Sequence, residues 1–265
     1  MSWHNRRNLQ GFELLFEALL VFSVLFVVWN LWTILYSGAP QLLPALRSQE
    51  IRSAIQLSLW TSSLSSGLCI LLALPCAYCL TKGRSALHRA FEVVLELPLS
   101  LPYLVLGLCL LTAFSSPFGK FLKSIGLRFV FDPKGIVAAH ILVNLPFAIH
   151  MLILAFRSLN PEWNLAAQVL GAKSLQIFWA ITLPLCRSAL LSTLLLTWSR
   201  ALGEFGATLM LVGVTRMKTE TLPASIYLNV STGETELALA AALILLILSF
   251  LIQLLLSHFN KKEPI

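Results

Sequence analysis

The run NPEWNLAAQVLGAKSLQIFWAITLP, residues 160–184, decides how this chain is read, because its first half is amphipathic while most of its surroundings are apolar. Asn160 can cap a helix, Pro161 fits the first helical position, and Glu162 complements the positive end of the helix dipole. Trp163, Ala166, Ala167 and Leu170 then recur at helical spacing, with Asn164 and Gln168 on other faces. Gly171 can close this short helix, and Lys173-Ser174-Leu175 starts a second one that runs to Leu183-Pro184. A short helix pair leading directly into a long apolar run suits docking of a soluble partner. An ordinary polar loop on the lipid surface is the other reading, and the local pattern alone does not separate the two.

Composition bounds the rest. Of 265 residues 57% are hydrophobic and only 12% charged, with a mean hydropathy of +0.82. No water-soluble domain of this size needs so much apolar surface, whereas several membrane spans do. The net charge of +7 does not point to nucleic acid. Its basic residues are scattered singly between apolar runs, as in loops and ends beside an anionic membrane. The five cysteines fall within or beside apolar runs, which argues against a secreted disulfide framework. Cys76 and Cys79 form a CxxC without a second ligand pair, so buried thiols are expected there and no metal site.

Six apolar runs predict six transmembrane helices, at about 12–36, 54–80, 91–114, 135–156, 188–214 and 237–257. The first is too long for a signal-peptide core. The second is rich in Ser and Thr, a pattern of tight packing or of a pathway-lining face. In the third, Pro98 and Pro102 free backbone carbonyls and predict a kink that protein or a water-filled cavity must compensate. The fourth carries His140 and His150, ten apart and on different faces, so each is expected to bond a neighbour and a shared metal is not. The fifth carries Arg200 and Glu204, four apart on one helix face where they can pair, with Gly203 and Gly206 beside them permitting close helix approach. A structural ion pair and a gate both remain open for them. Residues 115–134 and 215–236 read as outer loops and 157–187 as the docking loop. Lys and Arg are divided almost evenly between the two sides, so the docking loop sets the orientation, with both termini cytoplasmic.

Residues 165–167, Gly171 and Ile181-Thr182-Leu183-Pro184 resemble the signature loop of ABC-importer permeases. That loop reads Glu-Ala-Ala, three residues, Gly, and Ile-x-Leu-Pro about nine residues on. Leu165 stands where the signature has Glu, and Glu162, three residues upstream, is not the same position. LPLSLP (97–102) with Gly107, GIVA (135–138) followed by Leu145-Pro146-Phe147, and RALGEFGA (200–207) resemble the oxyanion importer permeases of the molybdate and sulfate group. TLPASIY (221–227) is most similar to the molybdate branch.

The resemblance implies an all-α integral membrane protein with the type I ABC importer permease fold, residues 1–265 forming a single transmembrane domain in the cell membrane. It implies two permease copies enclosing a pathway, two ATP-hydrolysing subunits docked on the coupling helices, and an extracytoplasmic oxyanion-binding protein. Glu162, Leu165, Ala166, Ala167, Gly171 and Pro184 would then face the ATPase, and Pro98, Pro102, Arg200, Gly203, Glu204 and Gly206 would lie along the pathway or gate. The sequence has no Gly-x-x-x-x-Gly-Lys-Ser/Thr phosphate loop, so ATP and Mg are expected on the partner and no cofactor on this chain. The anion would be molybdate, with tungstate, sulfate or thiosulfate as alternatives. An ATP-independent secondary transporter would not need the 160–184 loop, and a membrane enzyme would need a constellation that His140, His150, Glu204 and the CxxC do not offer at related spacings.

Overall fold

The computed structural model describes residues 3–83 and 85–260, with side chains from 12 to 83 and from 85 to 257. Arg84, most of the N-terminal segment and the basic tail that begins at His258 lie outside the described side chains. The elements run α1 (Trp3–Gly38), α2 (Leu42–Arg47), α3 (Gln49–Lys82), α4 (Ala86–Glu96), α5 (Tyr103–Ser115), α6 (Pro117–Ser124) and α7 (Pro133–Arg157). After these come α8 (Pro161–Val169), α9 (Ser174–Ile177), α10 (Leu183–Leu185), α11 (Arg187–Leu202), α12 (Gly206–Val212), α13 (Leu222–Ser231) and α14 (Thr235–Asn260). Among the described residues there is no strand.

Helix starts follow the capping chemistry of the sequence. Asp132 accepts from the Lys134 N–H at 3.0 Å with Pro133 behind it, which fixes the start of α7. Ser116 with Pro117 does the same for α6. Among the described residues four helices are long and apolar enough to cross a membrane: those of the first, second, fourth and sixth apolar runs. The third run is a bent pair. Pro98 and Pro102 have no N–H to give, so α4 stops at Glu96, residues 97–100 form a 3-10 turn, and α5 leaves at 112° to α4. The expected kink is thus a full break.

The fifth run differs from a single helix. The segment Ser174–Leu185, which contains a π turn at Phe178–Thr182, meets α11 at 71°. Farther on, α11 ends at Leu202 and a separate α12 begins at Gly206. The stretch 215–236, expected to be a loop, contains α13. Its start is drawn inward by a 2.7 Å hydrogen bond from the Leu222 N–H to the Ser58 hydroxyl, and Leu222, Ala224 and Ser225 are buried.

The centre of the molecule is the pair α3 and α7. Along α3, Ser58, Thr61, Ser62, Ser65, Ser66, Cys69, Ala73 and Ala77 are buried, and small residues let the two backbones approach closely. Ala148, Ile149, Leu152 and Ile153 of α7 complete that core. A second cluster joins α2, α3, α13 and α14, and a third joins α5, α7 and α12. In contrast, α1 exposes nearly every large side chain from Phe12 to Tyr36. It touches α14 closely at Gly38, where a Cβ would stand 2.8 Å from the Leu239 carbonyl oxygen. At the end of the bundle opposite α8, Arg216 pairs with Glu50, bonds Asn229 at 3.2 Å and reaches Glu234 at 3.5 Å.

Candidate docking loop and mid-membrane face

The docking loop is built by its own capping residues. The Asn160 side chain accepts from the Glu162 N–H at 3.0 Å and donates to the Glu162 carboxylate at 3.2 Å, which starts α8. Gly171, at φ +83°, ends it: the Gly171 N–H reaches the Gln168 carbonyl at 2.9 Å and the Ala172 N–H that of Ala167 at 3.0 Å. This is a Schellman closure, and the left-handed position explains why glycine stands there. The Gln176 side chain accepts from the Lys173 N–H at 2.8 Å, starting α9. Of the six residues read as coupling positions, Glu162, Leu165, Ala166, Gly171 and Pro184 are exposed. Ala167 is not: at 8% exposure it turns back into its own chain. The apolar outer surface is instead carried by Val169 and Leu170, 87% and 86% exposed, with Trp163, Leu175 and Trp179 also exposed. These were missed because an amphipathic reading assigns apolar residues to the inner face.

The loop is tied to the bundle. Tyr78 of α3 stacks edge-on against Phe156 and Phe178, and its hydroxyl donates to the Ser174 carbonyl at 3.3 Å. On α4, Glu92 pairs with Arg157 at 3.1 Å and Glu96 with Nδ1 of His150 at 2.8 Å. The helix that carries the proline break is therefore latched to the end of α7 that feeds α8. His140 bonds Ser65 at 3.2 Å, so each membrane histidine has its own neighbour. Among the described residues no three His, Cys, Asp or Glu side chains are grouped to hold a metal ion.

Three helix ends converge in the membrane interior: the start of α5, the end of α11 and the start of α12. Arg200 lies thirteen residues above the start of α11, and Asn144 thirteen residues above the end of α7. At 1.5 Å per residue both stand about 20 Å along their helices, well inside a hydrocarbon core of about 30 Å. Arg200 donates through Nε to the Asn144 side-chain oxygen at 3.2 Å and through Nη2 to the Tyr103 hydroxyl at 2.8 Å. Its guanidinium carbon sits 4.6 Å from the centre of the Phe147 ring. All three partners are neutral.

The expected pair with Glu204 does not form. The helix ends between the two residues at Gly203, and Glu204 swings away to cap α12, its Oε1 accepting from the Ala207 N–H at 2.6 Å. Its other oxygen is buried without a partner, as are Nε2 of His140, Nδ2 of Asn144 and the Thr197 hydroxyl. The two glycines divide as well. Gly203 is exposed, with no atom of another element near its Cβ position, so it serves to end α11 and permits no close approach. Gly206 does: a Cβ there would stand 3.1 Å from the Tyr103 Cβ. Gly107 brings α5 against α12 in the same way, with the Ala207 carbonyl oxygen 2.6 Å from its Cβ position. Pro98 is half-buried and Pro102 exposed at the start of α5. Tyr103, Asn144 and Phe147 are not readable as partners of Arg200 from the sequence, since the two hydrogen bonds span 97 and 56 residues of chain.

A charge at the bilayer centre costs about 2.5–3.5 kcal/mol on insertion scales, which a lipid-covered Arg200 would leave uncompensated. A broken-helix bundle with an outlying amphipathic loop matches, over residues 69–263, the model of the family described as binding-protein-dependent transport system inner membrane component. The chain belongs to that family. The permease is 34% identical over 217 residues to the "Molybdenum transport system permease protein ModB" of Mycobacterium tuberculosis, covering 81% of this chain and 82% of that one. It is also 34% identical over 216 residues to the "Sulfate transport system permease protein CysW" of Synechocystis sp., covering 81% and 78%. In fold, the permease superposes on a chain of a bacterial alginate ABC transporter with a TM-score of 0.76 at 20% identity, covering 98% and 97%. It superposes on one of the MetNI methionine ABC transporter at 0.66 and 17%, covering 80% and 95%. The protein is thus a multi-pass permease of the ABC-importer class, its relatives are transport subunits and not enzymes, and the type I fold expected from the signature loop is the one observed.

Proposed function

We propose that this permease carries a tetrahedral oxyanion, molybdate first, inward across the membrane as one of two copies driven by a pair of ATPase subunits. An external binding protein delivers the anion, and ATP with its Mg stays on the partner subunits. The observation that carries the coupling reading is α8, a capped helix outside the bundle with Val169 and Leu170 almost fully exposed. The latches of α7 to α4 through Arg157 and His150, just before α8, give the loop a mechanical route to the proline break. With α8 on the ATPase side, both termini lie in the cytoplasm. The face bearing Pro98, Pro102, Arg200, Gly203, Glu204 and Gly206 lines the pathway or the seam between copies.

Molybdate is favoured by the ModB relatives and by the 221–227 stretch; sulfate is the second reading, because CysW matches as well as ModB does. Cells lacking this chain and any second system should lose uptake of labelled molybdate and regain it with the chain restored. Loss of sulfate-dependent growth with intact molybdate uptake would reverse the order. Leu170→Glu should leave the chain in the membrane but abolish both uptake and co-purification of the ATPase. Normal uptake by that variant would refute the docking assignment.

A further inference from the structure

Arg200 is a fixed cation inside the membrane whose partners, Asn144, Tyr103 and Phe147, carry no charge. The one carboxylate on its own segment, Glu204, is spent on the α12 N-terminus and makes no ion pair with it. The Arg–carboxylate pairs of the described residues lie toward the two ends of the bundle. The guanidinium is half-exposed, and its neighbour Tyr103 presents its ring on the same open face. Beside them the first turn of α5, a thirteen-residue helix, has no side-chain cap, since its N-cap residue is Pro102. The positive end of that helix therefore adds to the charge of Arg200.

A guanidinium that no carboxylate bonds directly, with Glu204 acting on it only through space, and that neutral groups hold in orientation is suited to an anion that arrives and leaves. A permanent carboxylate partner would compete with such an anion, and the Gly203 break is what removes Glu204 from that position. We infer that Arg200, oriented by Asn144 and Phe147 and joined by the Tyr103 hydroxyl, is the point at which the dianionic substrate is held during its passage. It determines that the pathway accepts an oxyanion. The inference rests on the oxyanion reading above and adds the residue that touches the substrate.

The test uses the complete transporter, this chain with its ATPase and binding protein, reconstituted in vesicles with labelled molybdate and with sulfate. Arg200→Gln keeps hydrogen-bonding groups toward Asn144 and Tyr103 but removes the charge; Arg200→Lys keeps the charge but loses the planar fork. If Arg200 holds the anion, Gln should lower uptake by about tenfold or more, the scale of one lost charge-assisted contact, and Lys should retain more uptake than Gln. Both complexes should assemble with the ATPase subunits. A purely structural Arg200 gives the opposite order, with Gln equal to or better than Lys, and that result overturns the inference. Tyr103→Phe, which removes one oxygen, should weaken apparent anion affinity without changing assembly; unchanged uptake kinetics in this variant count against the site. Failure of both Arg200 variants to assemble would likewise assign the residue to folding. A wild-type complex that moves neither anion fails before any substitution, which separates the collapse of the oxyanion reading from that of this one.

Discussion

The α3–α7 pair and the α5–α11–α12 junction solve the same problem, polar groups inside a membrane, in opposite ways. On α3 the hydroxyls are returned to their own helix: Thr61 to the Leu57 carbonyl at 2.7 Å, Ser62 to that of Ser58 and Ser66 to that of Ser62, each at 2.6 Å. These three hydroxyls are spent inside the helix, which runs unbroken through 34 residues despite Pro75. At the junction the backbone is interrupted twice, before α5 and between α11 and α12, Arg200 reaches across to two other helices, and Nδ2 of Asn144, the Thr197 hydroxyl and one Glu204 oxygen are buried without a partner. Hydroxyls alone therefore do not mark a pathway. The proposed pathway rests instead on interrupted backbone together with a charge held by neutral partners.

Truncating the packed pair should give the largest loss of stability. Leu152 of α7 is fully buried between α3 and α7, so Leu152→Ala leaves a cavity worth about 2–5 kcal/mol. Its effect should appear as a lowered thermal midpoint of the purified complex, with uptake per assembled complex unchanged. Reduced uptake at full assembly would mean that the packed pair takes part in the transport motion, and the contrast would fail.

At the junction, Gly107→Ala should cost about 1–3 kcal/mol, because the new methyl meets the Ala207 backbone and no flexible side chain can yield. Here stability and uptake should fall together, since the shifted contact is the one that sets α5 against α12. A variant that loses midpoint but transports normally would make the Gly107 contact ordinary packing.

Much of the packed region was legible in the sequence, and little of the junction. Unbroken apolar runs, Asp132-Pro133 and Asn160-Pro161 gave α7 and α8, because caps and spans are set by residues close in the chain. Pro98 and Pro102 gave the third-run break for the same reason. The fifth-run break was hidden: no proline marks it, and a four-residue spacing read as one helix puts Arg200 and Glu204 on one face. What ends α11 is local, a glycine and a carboxylate that bonds the next helix start three residues on, but neither interrupts the apolar pattern. Ala167 misled by its size, since a small residue suits either a partner's approach or its own chain's packing, and only the fold distinguishes these. The α13 helix was hidden likewise, held by Ser58, 164 residues away.

Separating the two oxygens of Glu204 sharpens the junction further. Glu204→Leu removes the acceptor for the Ala207 N–H and should cost about 1 kcal/mol, the usual worth of a helix cap. Glu204→Gln keeps an acceptor there and can offer its amide N–H₂ as a donor, so it should cost less. Thermal midpoints of the two variants beside wild type decide this; a Gln variant as unstable as the Leu variant would show that the negative charge itself, and not the cap, is what α12 needs.

The smallest effects should distinguish two serines of α3 that sequence alone makes equivalent. Ser62 bonds the Ser58 carbonyl, an oxygen that the helix can satisfy without it, so Ser62→Ala removes a donor and strands nothing. Ser65 also bonds its own helix, to the Ser62 carbonyl at 3.1 Å, but its oxygen is the partner of Nδ1 of His140 as well. Since Nε2 of His140 has no partner, Ser65→Ala leaves the buried imidazole with only the Thr61 backbone to interact with. An unmet buried polar group costs about 1–3 kcal/mol, although a water moving into the space of the lost hydroxyl lowers that figure. Ser62→Ala should therefore shift the thermal midpoint barely at all, within about 0.5 kcal/mol, and Ser65→Ala measurably more. Adding His140→Phe to Ser65→Ala should recover part of the loss, because both ends of the pair are then apolar. Equal shifts for the two serines, with no recovery in the double variant, would mean that the hydroxyls of α3 are not self-satisfied, and the distinction between the packed pair and the junction would have to be drawn elsewhere.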